Sequence, residues 1–533
     1  MKNYYFNILF ICLGMFVSRA QVTLVKDINQ GITGSGPNDL FEFGGELFFT
    51  AGNSTFGREL HKYNATTDEV TFIQDSNPGI YNSFLEKTLE YNGDLYLTFE
   101  NGGFGHQFYK YETASQTLTL IPDIYVEDMI VYNDKIFMNA RNPYNTFGYE
   151  LYSFDSTNNV VELVSDIDSG SKNKNSSPDE FIIFNNKLYF SATSEILGRE
   201  LYEYDAATDV TRLVKNINTN TIGNKDGTPR EFTIYNNELY FGAFNTTVGY
   251  ELFKYDPVLD DVVLVVDIMP GVNQSALKDI FLHNNKLYYQ ASNDSNIGVE
   301  FHSFDAATGV DTLVREIAAT ARGSYPTDFY SFNNKLFFST SVGVSSLFVY
   351  NDVTDVLTQL APEGATSLRP TDIIEFENKL FIAGQTEVTN GSGEEIDAYL
   401  GRELYVYDDV SVSLVADISS GFSSSEINYL TIYNDELYFK ANNSVVGNEL
   451  FKYNSATASI KKFDNKLIVK HYNNTIYIGD KAKLITTKIY DVLGKSILQT
   501  NENKISTLQF KKGTYFAVIR LENKIQTFKF IAN

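Results

Sequence analysis

Residues 184–192 read FNNKLYFSA, and eight further copies of this short pattern are spread along the chain. The other copies are FGGELFFTA (43–51), YNGDLYLTF (91–99), YNDKIFMNA (132–140), YNNELYFGA (235–243), HNNKLYYQA (283–291), FNNKLFFST (332–340), FENKLFIAG (376–384) and YNDELYFKA (433–441). Their anchor residues are Leu47, Leu95, Ile136, Leu188, Leu239, Leu287, Leu336, Leu380 and Leu437, with spacings of 41 to 57 residues. Self-similarity at a period near 49 residues is the signature of a repeat protein.

Each unit predicts four short strands, which in the fourth unit are FIIF, KLYFSA, ELYEYD and TRLVKNI. Asn-Asn, Asn-Gly and Gly-Gly pairs between the first two strands are typical of tight hairpin turns, which need positive φ. The strands LYF and LVxDI are apolar on successive residues, so both of their faces should be covered. Stacking such sheets around an axis covers both faces, and the sequence therefore predicts an all-β protein of the β-propeller class, with one blade per unit.

Nine units exceed the usual four to eight blades of a propeller. A single ring of nine four-stranded blades is the first interpretation, and two smaller rings are the alternative. The segment VTLVKDI at 22–28 is a Leu-Val-x-Asp-Ile strand without a preceding hairpin. It is expected to complete the last blade and close the ring, burying Leu24, Val25 and Ile28.

The unit resembles kelch-type blades in its Asn-x-Lys-Leu-Tyr strand and its Tyr-Asp-x-x-Thr turn. It resembles more closely a bacterial extracellular repeat family named for Glu-Leu-Trp-x-x-Asp-Gly-Thr. Tyr202, Phe253 and Tyr405 stand where that family has Trp, and Ala-Thr replaces its Gly-Thr turn. The resemblance covers roughly residues 21–460 and implies a fold more than an activity.

The first twenty residues are predicted to be a secretory signal peptide. Lys2 precedes an apolar run from Phe6 to Val17, and Ser18-Arg19-Ala20 provides a cleavage site. A membrane anchor is disfavoured because the run is shorter than the roughly 20 residues of a bilayer span. The only cysteine, Cys12, follows the bulky Ile11, which argues against a lipoprotein. The mature chain is therefore expected to have no membrane span and neither disulfides nor thiolate chemistry.

Charge divides the chain into two parts. The net charge of the whole chain is −25, whereas the residues from Lys461 onward carry +9 and residues 21–460 carry −36. An acidic body of this size should repel nucleic acid and anionic membranes, so neither is expected as a partner. The predicted division is a signal peptide at 1–20, a propeller at 21–461 and a C-terminal domain at 462–533.

The C-terminal segment resembles the type A sorting domain of the type IX secretion system of Bacteroidetes. The matching blocks are KIYDVLGK (488–495), KGTYFAV (512–518) and TFKFI (527–531). The usual Pro-Asn-Pro opening is missing, and the chain ends in Ile-Ala-Asn rather than a lysine. The resemblance implies a small β-sandwich that the export machinery reads and usually removes, with the protein passing through the periplasm to the cell surface or medium.

Acidic side chains recur at two positions of the repeat. A glutamate follows Gly-x in most units, at Glu59, Glu150, Glu200, Glu251, Glu300, Glu403 and Glu449. Because an active site breaks symmetry, we expect these residues to be structural and to bind backbone amides or a neighbouring blade. The aspartates of the Tyr-Asp turns are expected to cap those turns through their own side chains; they are Asp155, Asp205, Asp256, Asp305 and Asp408.

Calcium is a competing explanation for some of the acidic clusters. Asp166 and Asp168 lie together in DIDS, and Asp294 opens DSN, which supplies hard oxygen ligands. No complete calcium-loop motif accompanies them. The five histidines show neither metal-ligand nor catalytic spacing; they are His61, His106, His283, His302 and His471. No catalytic or cofactor-binding residue is predicted.

Three classes of function remain open at this stage. The preferred one is an extracellular binding or adhesion module, and the alternatives are a polysaccharide-active propeller enzyme (glycosidase or lyase) and a structural surface component. Specificity would lie in the non-repetitive loops. The largest is the insertion at 385–400 in the eighth unit, and the seventh unit also departs from the pattern, since Ser345-Ser346-Leu347 replaces Gly-x-Glu-Leu.

Overall fold

The computed structural model describes a chain built from strands. The described residues are 21–100, 105–144, 148–168, 174–318, 321–341, 345–389, 395–396, 401–419, 423–454, 469–472, 475–478, 484–491, 495–502, 504–507, 509–521 and 525–532. They contain no helix. Residues 21–454 form one compact unit, and the described strands beyond 455 belong to a second one. The predicted signal peptide at 1–20 and the predicted boundary between 461 and 462 lie outside the described residues.

The strands of the first compact unit are numbered here in chain order. The first eighteen are β1 (Gln21–Lys26), β2 (Asn38–Phe43), β3 (Glu46–Asn53), β4 (Gly57–Asn64), β5 (Glu69–Gln74), β6 (Phe84–Tyr91), β7 (Asp94–Glu100), β8 (His106–Glu112), β9 (Thr117–Tyr132), β10 (Lys135–Arg141), β11 (Glu150–Asp155), β12 (Val160–Ser165), β13 (Asp179–Phe184), β14 (Lys187–Ser194), β15 (Gly198–Asp205), β16 (Val210–Lys215), β17 (Arg230–Tyr235) and β18 (Glu238–Asn245). The next eighteen are β19 (Gly249–Asp256), β20 (Asp261–Val266), β21 (Lys278–His283), β22 (Lys286–Ala291), β23 (Glu300–Asp305), β24 (Val310–Arg315), β25 (Pro326–Phe332), β26 (Lys335–Thr340), β27 (Leu347–Asn351), β28 (Val356–Leu360), β29 (Ser367–Phe376), β30 (Lys379–Thr389), β31 (Glu395–Ile396), β32 (Arg402–Tyr407), β33 (Val412–Ala416), β34 (Asn428–Tyr433), β35 (Glu436–Asn443) and β36 (Gly447–Asn454).

Most sequence units form one antiparallel four-stranded sheet with its strands in chain order. This holds for β2–β5, β13–β16, β17–β20, β21–β24 and β25–β28. The eighth unit has the order β29-β30-β32-β33, with β31 added on β30. The structure is therefore all-β and propeller-like, as the repeat predicts. Within each unit we number the strands first to fourth in chain order, so that the anchor hairpin joins the first strand to the second.

The second and third units differ from the expected pattern because they share a strand. The 16-residue strand β9 is the fourth strand of the second unit and the first strand of the third, which joins both units in one seven-stranded sheet. The sequence explains this difference, since TLTLIPDIYVEDMIVY lacks the Gly/Ser loop that separates other units. The pairing register breaks between Gln107 and Phe108, near Asp123, whose φ is 63°.

The hairpin turns and the buried strands agree with the sequence pattern. Asn185 and Asn186, between β13 and β14, have φ values of 48° and 59°, as a turn with two positive-φ residues requires. The following residues Leu188, Tyr189 and Phe190 are at most 2% exposed. Successive residues are buried on both sides of the strand, which confirms that both sheet faces are covered.

The hydrophobic core lies between neighbouring sheets. Leu201 and Tyr189 of the fourth unit pack in one cluster with Phe241 and Phe253 of the fifth. The same kind of cluster joins the last sheet to the first, where Tyr438 and Leu450 pack with Phe49 and Tyr63. The last sheet therefore packs against the first in the same way as two successive sheets pack against each other.

The ninth unit takes its fourth strand from the other end of the domain. β1 pairs antiparallel with β36, and the sheet order is β1-β36-β35-β34. This confirms the prediction that residues 22–28 complete the last sheet. Val25 and Ile28 pack against the cluster between the last and first sheets. Leu24, which was expected to be buried, is 38% exposed because β1 is the edge strand of its sheet.

The second compact unit contains two antiparallel sheets. Its strands are β37 (Val469–Tyr472), β38 (Thr475–Ile478), β39 (Leu484–Asp491), β40 (Ser496–Thr500), β41 (Lys504–Ser506), β42 (Gly513–Leu521) and β43 (Ile525–Ala532). One sheet has the order β37-β38-β41 and the other β40-β39-β42-β43. The buried side chains of Ile489, Ala517 and Ile519 lie on the central strands of the larger sheet.

Candidate functional site

The repeated glutamate of the third strand is fully buried in seven units. The members are Glu59, Glu150, Glu200, Glu251, Glu300, Glu403 and Glu449, each at 0% exposure. Glu251 illustrates the contacts: its carboxylate accepts hydrogen bonds from Ile268 N at 2.7 Å and from Ser275 N at 3.1 Å. Both donors lie in the loop that leads to the next unit. These bonds confirm that the glutamate binds backbone amides.

The same bonding pattern recurs at a constant chain distance in five units, whereas the first donor lies 15 residues after Glu403. The first donor lies 17 residues after Glu59, Glu150, Glu200, Glu251 and Glu300. In most units it is the isoleucine of the Leu-Val-x-Asp-Ile strand. The repeat therefore encodes the acceptor and its donor together, and each glutamate holds one inter-unit loop in place.

Burial raises the pKa of these carboxyl groups against the opposing effect of their hydrogen bonds. The pKa of Glu251 rises to about 8, those of Glu59, Glu200 and Glu403 to about 7, and that of Glu150 to about 6. Desolvation is the largest cause in each case, since it disfavours the charged form. With no exposed surface, these groups are positioned for loop anchoring rather than for chemistry on a ligand.

The seventh unit makes a different contact at this position. Ser346, fully buried, stands where seven units have glutamate, and its Oγ accepts a hydrogen bond from Leu368 N at 3.3 Å. Leu368 lies in β29, so the hydroxyl contacts the first strand of the eighth unit rather than the loop before it.

The aspartates of the third-to-fourth strand turns cap those turns as predicted. Each accepts a hydrogen bond on Oδ1 from the backbone N two residues later, at 2.8 to 3.2 Å. The residues are Asp155, Asp205, Asp256, Asp305 and Asp408. They are structural, like the buried glutamates.

A second set of carboxylates lies on the first strands of the units. We define the acidic arc as Glu180, Glu231, Asp279 and Asp328, on β13, β17, β21 and β25 of four successive units. All four have positive φ, between 56° and 65°, at the point where the pairing register with the second strand shifts. This local geometry places an acidic side chain at the start of each first strand.

The carboxylates of the arc contact the first strands of their neighbours. Glu180 Oε2 accepts a hydrogen bond from Glu231 N at 3.0 Å, and Glu231 Oε2 accepts one from Asp279 N at 3.1 Å. Burial, followed by the charges of Asp279 and Glu180, raises the pKa of Glu231, although Lys278 opposes the shift. Burial and then the charge of Asp279 also raise the pKa of Asp328. The arc is therefore a line of mutually repelling acids.

The acids of the first strands have different partners in different units. Burial raises the pKa of Asp39, although Arg58 opposes the shift. Asp128 pairs with Lys87 at 2.9 Å, and Asp372 Oδ2 accepts a hydrogen bond from Leu430 N at 2.6 Å. In the fourth unit Arg199 pairs with Asp179, next to Glu180.

A cleft of about 420 Å³ lies at the sixth unit, among one of its own loops and the loops that precede and follow it. Its lining includes Asn273, Gln274, Ala276, Arg322 and Tyr325. Ala276 lies three residues before Asp279, and Tyr325 lies three residues before Asp328. Tyr325 is 38% exposed and has a φ of 51°, an uncommon conformation for a bulky residue. The cleft thus combines amides, a guanidinium and an aromatic ring.

Sequence reasoning did not single out the acidic arc, although the sequence contains a signal for it. Each member lies eight residues before its anchor leucine, namely before Leu188, Leu239, Leu287 and Leu336. Aligning the units on the anchor would have shown the acidic column. The cleft has no such signal, because its lining comes from three separate loops.

The residues predicted to bind calcium do not meet in one place. Asp168 is 6% exposed and its Oδ1 accepts a hydrogen bond from Glu195 N at 2.8 Å. Asp294 Oδ1 accepts one from Asn296 N at 2.8 Å in a loop of the sixth unit. Burial, followed by the charge of Asp168, raises the pKa of Asp166. Calcium binding at these residues stays a prediction, since residues 169–173 are outside the described part.

The insertion of the eighth unit is only partly described. Glu387 is buried, contacts Ser367 Oγ at 3.3 Å and pairs with Arg369. A cleft of about 490 Å³ beside it is lined by Pro362, Glu363, Thr386 and Tyr405, among others. Residues 390–394 and 397–400 lie outside the described residues.

Comparison with known protein families identifies the C-terminal segment. Residues 472–533 match the family described as secretion system C-terminal sorting domain. The sorting domain predicted from the three sequence blocks is thereby confirmed. The protein is a secreted or cell-surface protein, and its C-terminal domain is handled by the type IX secretion system. The kelch-type character of the repeats stays a prediction.

Several solved structures are distantly similar to the chain. PorZ, a surface component of the type IX secretion system of Porphyromonas gingivalis, is 14% identical with a TM-score of 0.36, over 92% of this chain and 75% of PorZ. The extracellular domain of BT4673, a putative hybrid two component system from B. thetaiotaomicron, is 11% identical with a TM-score of 0.24, over 93% of this chain and 86% of that one. A puromycin hydrolase is 10% identical with a TM-score of 0.37, over 76% of this chain, which spans 58% of the hydrolase.

Since these TM-scores lie below 0.5, nothing about the function of this protein is inferred from them. A search of curated proteins found no match. In the part of the chain that the structure describes, no helix is long and apolar enough to cross a membrane.

Proposed function

We propose that the mature protein is an extracellular glycan-binding module whose ligand occupies the cleft at the sixth unit. The observation that carries this proposal is that the partly exposed Tyr325 lines the cleft together with Asn273, Gln274 and Arg322. An exposed aromatic ring offers a stacking surface for a sugar, and amide and guanidinium groups form the directed hydrogen bonds that hydroxyl groups need.

A rigid scaffold supports such a site, and we propose that it is one closed ring of nine blades. Thr431 Oγ1 in the last sheet donates to Leu40 O in the first at 3.1 Å, as Thr233 Oγ1 donates to Ile280 O at 3.2 Å between two successive units. Tyr433 OH donates to Gly45 O just as Tyr235 OH donates to Asn285 O. Equal contacts at the closing point and between ordinary neighbours favour one ring over two smaller ones.

A glycan array with the mature chain tests the binding proposal. We expect binding to a subset of glycans, reduced at least about tenfold by Tyr325→Ala or Arg322→Ala, which corresponds to one lost ring contact or hydrogen-bonded group. Tyr144→Ala is the matched control, because Tyr144 is an exposed tyrosine in a loop of the third unit. Binding to no glycan, or binding that Tyr325→Ala leaves unchanged, would overturn the proposal and favour a structural surface component.

One observation favours a polysaccharide-active enzyme as the second candidate. Glu231, whose pKa burial raises, lies between the carboxylates of Glu180 and Asp279. Glycoside hydrolysis uses such a pair, in which one carboxyl keeps a proton and the other is ionised. Turnover of a soluble polysaccharide that Glu231→Gln abolishes would establish this function, and absence of turnover across a substrate panel would leave glycan binding alone.

A further inference from the structure

A group of potential metal ligands lies in the second unit, away from the proposed cleft. Glu86, Glu100 and His106 each offer one ligand atom, and these atoms lie within 4.8 Å of one another. Glu100 and His106 are directly paired across β7 and β8, and Glu86 lies at the register shift of β6. The backbone thus holds all three residues at one end of the sheet.

The sheet register shows what these residues replace. His106 lies five residues before Tyr111, as Arg58 lies before Tyr63 and Arg199 before Tyr204. His106 therefore occupies the place of the arginine that accompanies an acid of the first strand in the first and fourth units. Opposite it, Glu100 occupies the place of Gly52 and Thr193.

Relative to the first and fourth units, His106 replaces a permanently charged guanidinium and Glu100 adds a carboxylate. Lys87 stands where those units have Asp39 and Glu180. A further acid, Glu127, places its Oε2 3.2 Å from His106 Nδ1. That nitrogen is buried and makes no hydrogen bond within the described residues. The nearby Lys87 is already paired with Asp128 at 2.9 Å.

We propose that Glu86, Glu100 and His106 bind a first-row divalent cation, for which Zn²⁺ is the probe. One imidazole nitrogen and two carboxylate oxygens form a mixed ligand set that suits such a cation, whereas Ca²⁺ prefers oxygen ligands throughout. Three protein ligands at a partly exposed position leave room for water as a further ligand.

Isothermal titration of the mature chain with Zn²⁺ tests this proposal. We expect one site that Glu100→Gln weakens at least about tenfold and His106→Ala abolishes, since each removes a direct ligand. His106→Arg is the informative variant, because it restores the residue of the first and fourth units. It should abolish Zn²⁺ binding while keeping the thermal midpoint, so that loss of binding is separated from loss of fold.

His283→Ala is the matched control, because His283 lies in the sixth unit against Ser331 and should not affect the titration. Zn²⁺ binding that survives His106→Arg, or wild-type protein that binds no Zn²⁺, would overturn the proposal. Displacement of Zn²⁺ by Ca²⁺ at a similar concentration would also overturn it, since the imidazole would then not be a ligand. None of these outcomes depends on whether the chain binds glycans.

Discussion

Ser35 donates two hydrogen bonds to the buried carboxylate of Glu449, from its backbone N at 2.8 Å and from its Oγ at 2.6 Å. The two residues are 414 positions apart, and the contact joins the loop before the first sheet to the last sheet. Ser83 and Glu59 form the same pair between two consecutive units, with Oγ at 3.0 Å. A local rule of the repeat is thus reused to join the two ends of the domain.

Replacing Glu449 by alanine should therefore destabilise the domain strongly. Ile28 N, Asn29 N and Ser35 N all lose their acceptor, at a cost of roughly 1–3 kcal/mol for each buried donor that stays unpaired. Urea unfolding of the mature chain measures the loss. Glu69→Ala, at an exposed position of β5, is the surface control and should change the free energy of unfolding little. Equal stability of the two variants would contradict the role assigned to Glu449.

Two substitutions in β1 should differ in effect because their side chains differ in burial. Val25 packs against the cluster between the last and first sheets, whereas Leu24 is 38% exposed. Val25→Ser should lower the thermal midpoint, since burial of such a side chain contributes about 1.5–3 kcal/mol when complete. Leu24→Ser should have a much smaller effect. A larger loss for Leu24→Ser would show that β1 packs in the opposite orientation.

Stability should fall as the pH rises from about 5 to about 8. The pKa of Glu251 is about 8 in the folded protein, against 4.5 for an ordinary glutamate, so the folded state retains a proton that the unfolded chain releases. This contribution to the free energy of unfolding is fully present below the pKa of the unfolded chain, and it is lost as the pH rises through the pKa of the folded protein. Thermal midpoints at pH 5.5 and 8.5 measure this effect.

The variant Glu251→Gln separates this effect from the general charge of the acidic body. It removes one titrating group while keeping a side chain that can accept the bonds from Ile268 N and Ser275 N. Its midpoint should therefore depend less on pH than that of the wild type. An identical pH profile for both proteins would show that Glu251 does not titrate in this range.

Removal of residues 462–533 should block delivery to the cell surface without unfolding the repeat domain. The compact unit ends at Asn454, and residues 472–533 match the sorting domain family. The truncated protein should accumulate in the periplasm in a folded, protease-resistant form. Fractionation followed by immunoblotting measures its location. Normal amounts on the surface or in the medium would show that another segment carries the export signal.

The sequence alone determined the repeat, the class of fold and the sorting domain. Each of these depends on local patterns: the hairpin turn at Asn185-Asn186, continuous apolar strands, and three blocks near the C-terminus. The pairing of residues 22–28 with the last sheet was also predictable, because that strand lacks a hairpin of its own. The glutamate of the third strand could be assigned a structural role from its recurrence alone.

The tertiary structure alone decided how residues from different units meet. β9 serves two units because its first half pairs with β8 and its second half with β10, and only the structure shows where the partner changes. The cleft at Tyr325 arises where separate loops converge. The role proposed for His106 depends on the register, which places it opposite Glu100, at the position that Arg58 and Arg199 occupy in their own units. The local sequence pattern repeats along the chain, whereas a binding site depends on which residues of different units the fold brings together.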